Sequence, residues 1–322
     1  MNMENNHSCF YNKILEYMNF RCSLGYGNIH KNYLLMFDKY CYLNHPDKYV
    51  LTKQIVKGWF LYEINISGKA LTNKASAIRC FAKYLGKDSY ILPTDYVPKK
   101  DPFYPNILSK EELINFFKQV YQYYNNQNPI KSETMSVLLR LLYCCGLRPN
   151  EGRNLLLDDI NFNTGELFIR KGKRNKDRLI VASNDVLNLL KQYNEKRKIF
   201  VNKEEPHFFI NSDSTSIKTY QLREHVCKCW KKANSNISEN ELRPLRAYDL
   251  RHLFASTVLH KWLDSGENIY SKLPYLRAYM GHEKFEDTLY YIHILPEYLL
   301  SSKNVDWKKI DCITLEESIW QV

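Results

Sequence analysis

Two adjacent tyrosines, Tyr290 and Tyr291 in "EDTLYYIHI", close an ordered series of basic and phenolic segments in the second half of this chain. Before them come "GLRPNEG" with Arg148, "RKGKRNKDR" with Lys173, "YDLRH" with Arg251 and "MGH" with His282. Such a set suits phosphoryl transfer. Non-bridging phosphate oxygens need positive hydrogen-bond donors, and two guanidinium groups can supply them without a metal because each binds oxygens bidentately. Arg148 and Arg251 are the candidates for that clamp. A leaving alkoxide needs a proton, which a lysine on a hairpin can deliver when neighbouring arginines lower its pKa, and Lys173 fits. A tyrosine hydroxyl that attacks phosphorus makes a phosphotyrosyl bond and conserves the energy of the phosphodiester, so strand exchange can run without ATP. These considerations leave open which of Tyr290 and Tyr291 attacks.

Other chemistries find little support. The sequence has no GxxxxGK[ST] loop, no HExxH and no GxSxG elbow. "HVCKC", His225 to Cys229, lacks a second ligand pair and reads as thiols buried on a helix, and the adjacent Asp158 and Asp159 make no metal site by themselves. We therefore expect neither cofactor nor metal. Lys and Arg outnumber Asp and Glu by 46 to 35, which favours a polyanionic partner through counterion release. Nine cysteines, an odd number without repeated CxxC spacing, fit reduced thiols. The N-terminal "MNMENNHSCF" has no apolar run, and "MSVLLRLLYCCGL" is interrupted by Arg140 and too short to span a bilayer. The expectation is a soluble, cytoplasmic protein with no membrane partner.

The elements that must position these residues fall into two groups, as a length of 322 residues suggests. Four helical segments, near 11–21, 30–43, 51–65 and 69–86, are separated by Gly25, Gly27, Pro46 and Gly68. In the fourth, Leu71, Ala75, Ile78, Ala82 and Leu85 form an apolar stripe, while Arg79, Lys83 and Lys87 recur every four residues elsewhere. Pro93, Pro98, Pro102 and Pro105, with Lys99 and Lys100 among them, cannot continue a helix and mark a linker. The expected organisation is a helical domain over 1–95, a linker over 96–107, and a larger domain with a C-terminal tail over 108–322. Ser109 with Glu112 has capping-box spacing, so a helix restarts there. "GELFIR" and "RLIVAS" flank a turn and predict a β-hairpin over 164–183. Helices follow near 185–200, 217–233, 246–262, 273–280 and 285–295. The fold class is mainly α with one small β-hairpin, formally α+β.

Four segments together resemble the tyrosine recombinases, or phage-type integrases, over roughly residues 108–300. "CGLRPNEGRNLLLDDI" resembles the first arginine box, "IRKGKRNKDRLIV" the hairpin with the family's lysine, "YDLRHLFAS" the second arginine box, and "YMGHEKFEDTLYYIH" the closing histidine-tyrosine segment. The helical N-terminal part is similar to that family's core-binding domain. In the family the tyrosine lies about nine residues after the Gly-His histidine and is commonly followed by x-His. Only Tyr291 meets both conditions, with His282 before it and His293 after it. The resemblance implies that Arg148 and Arg251 bind the scissile phosphate, Lys173 is the general acid, His282 hydrogen-bonds the phosphate and Tyr291 is the nucleophile. Glu151 stands where the family has a glutamate supporting the first arginine.

Two departures stand out. The family usually has histidine three residues before the second arginine, where this chain has Tyr248. A phenol donates a hydrogen bond readily at neutral pH but accepts a proton far less readily than imidazole, so Tyr248 is expected to orient the phosphate or Tyr291 while water or another group takes the proton. His252, one residue past Arg251 and turned ~100° from it on a helix, is expected to pack. The second departure is the stretch from Arg251 to His282, which is longer than usual, with "LDSGENIYSKLPY" as the extra connection.

The resemblance implies a site-specific recombinase that makes 3′-phosphotyrosyl intermediates on double-stranded DNA. It would work as a tetramer at the nucleoid, with a monomer in solution and room for accessory DNA-bending proteins. Arg79, Lys83, Lys87, Lys99 and Lys100 are the expected contacts to the DNA backbone. Composition and the segments "LPYLRAYMGH" and "YYIHILPEY" look most like integrases of mobile elements in low-GC bacteria. Two other readings are a DNA-binding regulator descended from such an enzyme and a type IB topoisomerase-like strand nicker. The tail, Ser301 to Val322, has Ile313, Leu315, Ile319 and Trp320 to bury, either on a neighbouring protomer or on its own domain.

Overall fold

The computed structural model describes residues 7–62, 68–97, 105–123, 128–170, 176–201 and 205–293. The chain divides into two compact units, Met1–Phe103 and Tyr104–Val322.

In the first unit, helices α1 (Tyr11–Ser23), α2 (Lys31–Asn44), α3 (Lys53–Tyr62) and α4 (Gly68–Leu85) enclose a core that includes Phe10, Ile14, Phe37, Trp59 and Phe81. The α4 stripe behaves as its spacing predicts: Ala75, Ile78 and Ala82 are buried, with Leu71 and Leu85 packed at the core's edge. Lys74, on the same helix, is fully buried. Its ammonium donates to the Trp59 carbonyl at 2.9 Å and lies 4.3 Å from the Trp59 ring centroid, which compensates the buried charge. Of the expected cationic face, Lys83 and Lys87 are exposed. Arg79 is half-buried and donates from Nε to the Leu92 carbonyl at 2.8 Å and from Nη2 to that of Pro93 at 2.9 Å, which ties α4 to the segment that follows it. Lys99 and Lys100 lie outside the described residues.

The second unit begins with α5 (Lys110–Gln122), whose capping box forms as expected. The Ser109 hydroxyl accepts from the Glu112 amide at 3.2 Å, and the Glu112 carboxylate accepts from the Ser109 amide at 2.7 Å. Then come α6 (Pro129–Cys145), the short α7 (Pro149–Arg153), and strands β1 (Glu166–Ile169) and β2 (Arg178–Val181). The strands pair antiparallel, with Glu166 opposite Val181 and Ile169 opposite Arg178. Helices α8 (Asn184–Phe200), α9 (Thr219–Ala233), α10 (Asp249–Asp264), α11 (Ile269–Met280) and α12 (Glu286–His293) complete the order. The apolar span that contains Arg140 lies within α6, a central helix packed on α5, α8 and α10, with Leu138, Leu139, Leu141 and Leu142 buried. No described helix is long and apolar enough to cross a membrane. His225 and Cys229 are buried on α9, Nε2 to Sγ 3.5 Å, one helical turn apart, but Cys227 points off the opposite side of the helix and is exposed, so only one of the two thiols of "HVCKC" is buried as expected.

A smaller apolar cluster joins α10, α11 and α12 through Ala255, Leu259, Leu273, Met280, Leu289 and Tyr291. Here the sequence reading needs correction. Helix α11 starts at Ile269 rather than near residue 273, because the Asn268 side chain accepts from the Tyr270 amide at 3.0 Å and caps it. Pro274 sits inside that helix, where a start near it was expected. The supposed extra connection is therefore mostly helix, with only Ser265–Asn268 between α10 and α11.

Candidate active site

The segment "GLRPNEG" builds one wall of the site. Gly146 ends α6 in the left-handed conformation, φ +59°, and a Cβ there would collide with the Phe254 ring. Arg148 is extended, φ −67° and ψ 144°, as a residue before proline should be, and Pro149 then starts α7 with its fixed φ. Glu151, in the first turn of α7, folds back: its carboxylate accepts from the Arg148 amide at 2.9 Å and from Arg148 Nη1 at 2.7 Å. On its other side Arg178, the first residue of β2, donates Nη1 and Nη2 to the two carboxylate oxygens, each at 2.8 Å. Burial works to raise the Glu151 pKa, but the Arg178 hydrogen bonds and charge, followed by those of Arg148, outweigh it and hold the carboxyl at about 2. Glu151 is thus an anionic post that fixes two guanidinium groups. Arg178 goes beyond the sequence reading; its signal was its place in the arginine-rich hairpin segment.

The second wall comes from α10 and the end of α11. Arg251 is fully buried in α10 and pairs with no described carboxylate. Its Nη1 donates to the Gly146 carbonyl at 2.6 Å, and its Nη2 to the Met280 carbonyl at 2.6 Å and to His282 Nε2 at 2.9 Å. Nε finds no partner among the described residues. Burial, and after it the Arg148 charge, lower the Arg251 pKa from the ordinary arginine value. Helix α11 ends at Gly281, left-handed with φ +65°, where the His282 amide bonds back to the Arg277 carbonyl at 3.0 Å in a Schellman closure. That turn presents His282 to Arg251. With Nε2 accepting from Arg251, Nδ1 carries the proton toward Thr288 Oγ1 at 2.9 Å, which is the assignment the hydrogen bonds imply. The Arg148 Nη2 donation to the Gly281 carbonyl, 2.9 Å, joins the two walls.

Tyr291, on α12, is 2% exposed and stacks on His282, ring centroids 5.7 Å apart at 16°. Burial pushes its phenol up to about 12, against the opposing pull of Arg251 and Arg148. Tyr290 is only half-buried on the next position. Tyr248, the residue before α10, is 39% exposed and contacts the His252 ring at 5.2 Å. His252 packs as expected and does so against the tyrosine pair, 5.4 Å from Tyr291 and 6.0 Å from Tyr290 between ring centroids.

The fold therefore gathers Arg148, Glu151, Arg251, His282 and Tyr291 from positions far apart in sequence, with Tyr248 at their edge. Lys173 lies outside the described residues, as do the tail 301–322 and the side chain of His293. A cleft of about 300 Å³ opens beside the group, lined by Arg148, Lys176, Arg178, Arg277 and His282 and also by the carboxylates Asp177 and Glu283. An anion that enters it meets several positive donors held in fixed directions, the arrangement that stabilises charge on a pentavalent phosphorus.

Two walls of arginine, a histidine and a buried tyrosine thus stand together in a mainly helical unit with one hairpin. Residues 109–297 match the phage integrase family, and the chain belongs to it. The integrase/recombinase y4rE of Sinorhizobium fredii is 31% identical over 189 residues, 58% of this chain and 59% of that relative, so the chain spans less than two thirds of its length. Tyrosine recombinase XerD of Rickettsia bellii is 26% identical over 285 residues, 84% of this chain and 88% of that one. Among solved structures, the XerH site-specific recombinase bound to palindromic difH substrate in a post-cleavage complex superposes with TM-score 0.63. It is 20% identical and covers 84% of this chain and 77% of that one, a likeness of fold.

Proposed function

We propose that the chain is a site-specific DNA recombinase of the integrase type, which cleaves and rejoins DNA strands through a covalent 3′-phosphotyrosyl intermediate. The observation that carries the assignment is the fully buried Arg251, paired with no described carboxylate, beside Arg148 and the buried phenol of Tyr291. A buried guanidinium without a counter-carboxylate is costly in a protein interior, and a phosphate is the anion such an arrangement suits. Tyr291 attacks phosphorus, Arg148 and Arg251 hold the non-bridging oxygens, and Arg251 Nε, without a partner among the described residues, is a donor for one of them. Lys173 protonates the leaving 5′ oxygen. His282 bonds the phosphate once its Nε2 is released from Arg251, and Tyr248 orients the phosphate or the nucleophile from the rim. Lys83 and Lys87, with Lys99 and Lys100, contact the backbone; Arg79 contributes through the donor capacity its two carbonyl bonds leave.

The same reading makes double-stranded DNA the partner, a tetramer the working assembly on it, and the cytoplasmic nucleoid the place of action. The larger domain carries the chemistry and the helical N-terminal domain closes on the duplex. Descent into a pure DNA-binding regulator is disfavoured by the intact grouping of Arg148, Arg251, His282 and Tyr291. The test is a denaturing gel of the protein on nicked suicide duplexes tiled across the DNA that flanks its gene. A covalent band should form, vanish in Tyr291→Phe and persist in Tyr290→Phe; the reverse pattern overturns the assignment.

A further inference from the structure

His252 has a feature that packing does not explain. It is 8% exposed, and its Nδ1 is buried with no hydrogen-bond partner among the described residues. Buried ring nitrogens are nearly always satisfied, and an unmet one costs about 1–3 kcal/mol, so its persistence calls for a reason. The imidazole sits in a box of phenols, with Tyr248, Tyr290 and Tyr291 all within 6.0 Å between centroids. The other imidazole beside Tyr291, His282 at 5.7 Å, already has Nε2 bonded to Arg251 and Nδ1 to Thr288, and the remaining neighbours are phenols.

We propose that His252 is the proton acceptor for the Tyr291 hydroxyl, directly or through one water. This rests on the reading of Tyr291 as the nucleophile. As the Tyr291 Oη–P bond forms, the hydroxyl proton passes to Nδ1 of His252. The P–O5′ bond breaks, and the leaving 5′ oxygen takes its proton from the Lys173 ammonium, so charge and atoms balance. Burial, above all, holds the His252 pKa down to about 4, with Asp249 opposing and Arg246 and Arg251 adding to the shift, so the ring is neutral at pH 7 but a weaker base than a free imidazole, and the negative charge of the bound phosphate has to stabilise the proton it takes up. The two rings lie 5.4 Å apart between centroids, and catalytic hydrogen bonds often tighten only when substrate binds. The histidine position next to Arg251 then supplies what Tyr248, as a phenol, does not.

The experiment measures single-turnover covalent-complex formation on the nicked duplex for the full chain, with DNA affinity followed by gel shift. His252→Gln, which keeps polarity without useful basicity, should slow the step by about 100-fold and leave DNA affinity unchanged. A ring-fluorinated tyrosine placed at position 291 has a more acidic hydroxyl, depends less on a base, and should restore most of the lost rate in the His252→Gln background. Wild-type rate in His252→Gln overturns the inference. So does a slowed variant that fluorination fails to rescue, because a packing defect is indifferent to the acidity of the phenol. If Tyr291→Phe still forms the covalent complex, the nucleophile reading fails, an outcome separable from either of these.

Discussion

Replacing Glu151 by glutamine removes the charge that holds Arg148 and Arg178 together while keeping nearly the same shape. The magnitude follows from the environment of the carboxyl, whose side chain is only 6% exposed. Its pKa falls from the ordinary 4.5 to about 2. At ~1.4 kcal/mol per pH unit, that displacement corresponds to about 3 kcal/mol of folding free energy. The folded value lies below the unfolded one, so this stability is fully present above pH 4.5 and is lost as pH falls toward 2. Full-chain urea unfolding followed by far-UV circular dichroism, run in parallel on wild type and Glu151→Gln from pH 7 to pH 2, isolates the contribution because the rest of the chain is common to both. Wild type should be about 3 kcal/mol more stable at pH 7, with the gap closing between about pH 5 and pH 2. A gap that stays constant across this range would refute the argument, since it would place the glutamate's contribution in shape rather than charge. Strand cleavage should fall as well, because two unscreened guanidinium groups then repel and the phosphate donors lose their fixed direction.

Three further outcomes are expected. Gly146→Ala forces a Cβ into the left-handed region and against Phe254, which should cost about 2–4 kcal/mol and lower the melting temperature by several degrees; an unchanged melting curve would contradict the role given to this turn. Tyr248→Phe should slow cleavage about tenfold, the value of one hydrogen bond, without weakening DNA binding, and equal rates would remove the phenol from the site. Ser109→Ala should destabilise α5 by about 1 kcal/mol in urea while leaving covalent-complex formation intact, a control for folding effects remote from the site.

Much of the site was legible because its turns are locally encoded. Gly146, Pro149 and Glu151 specify how α6 stops and α7 starts within a few residues, so the placing of Arg148 is a sequence property. The same holds for Ser109 and its capping box and for the alternation that made the hairpin. Arg178 was overlooked because its partner Glu151 lies 27 residues away, and no periodicity relates a strand's first residue to a helix's first turn. The α11 start was misplaced because Pro274 suggests a boundary, whereas the cap at Asn268 and packing against α10 and α12 sustain the helix through it.

Residue types, their order and their local turns thus pointed to the class of chemistry and the fold class, since each depends on neighbours within a helical turn or a hairpin, whereas the choice of Tyr291 over Tyr290 came from the family resemblance. Tertiary structure alone decided that Arg251 is buried between the Gly146 and Met280 carbonyls, that Glu151 serves two arginines, and that the His252 ring lies against Tyr291 with a nitrogen that has no hydrogen-bond partner among the described residues. Those facts come from the closing of long loops that bring α10, α11 and α12 onto the end of α6. Burial and electrostatic field at a point are sums over everything that packs there, which no single segment contains.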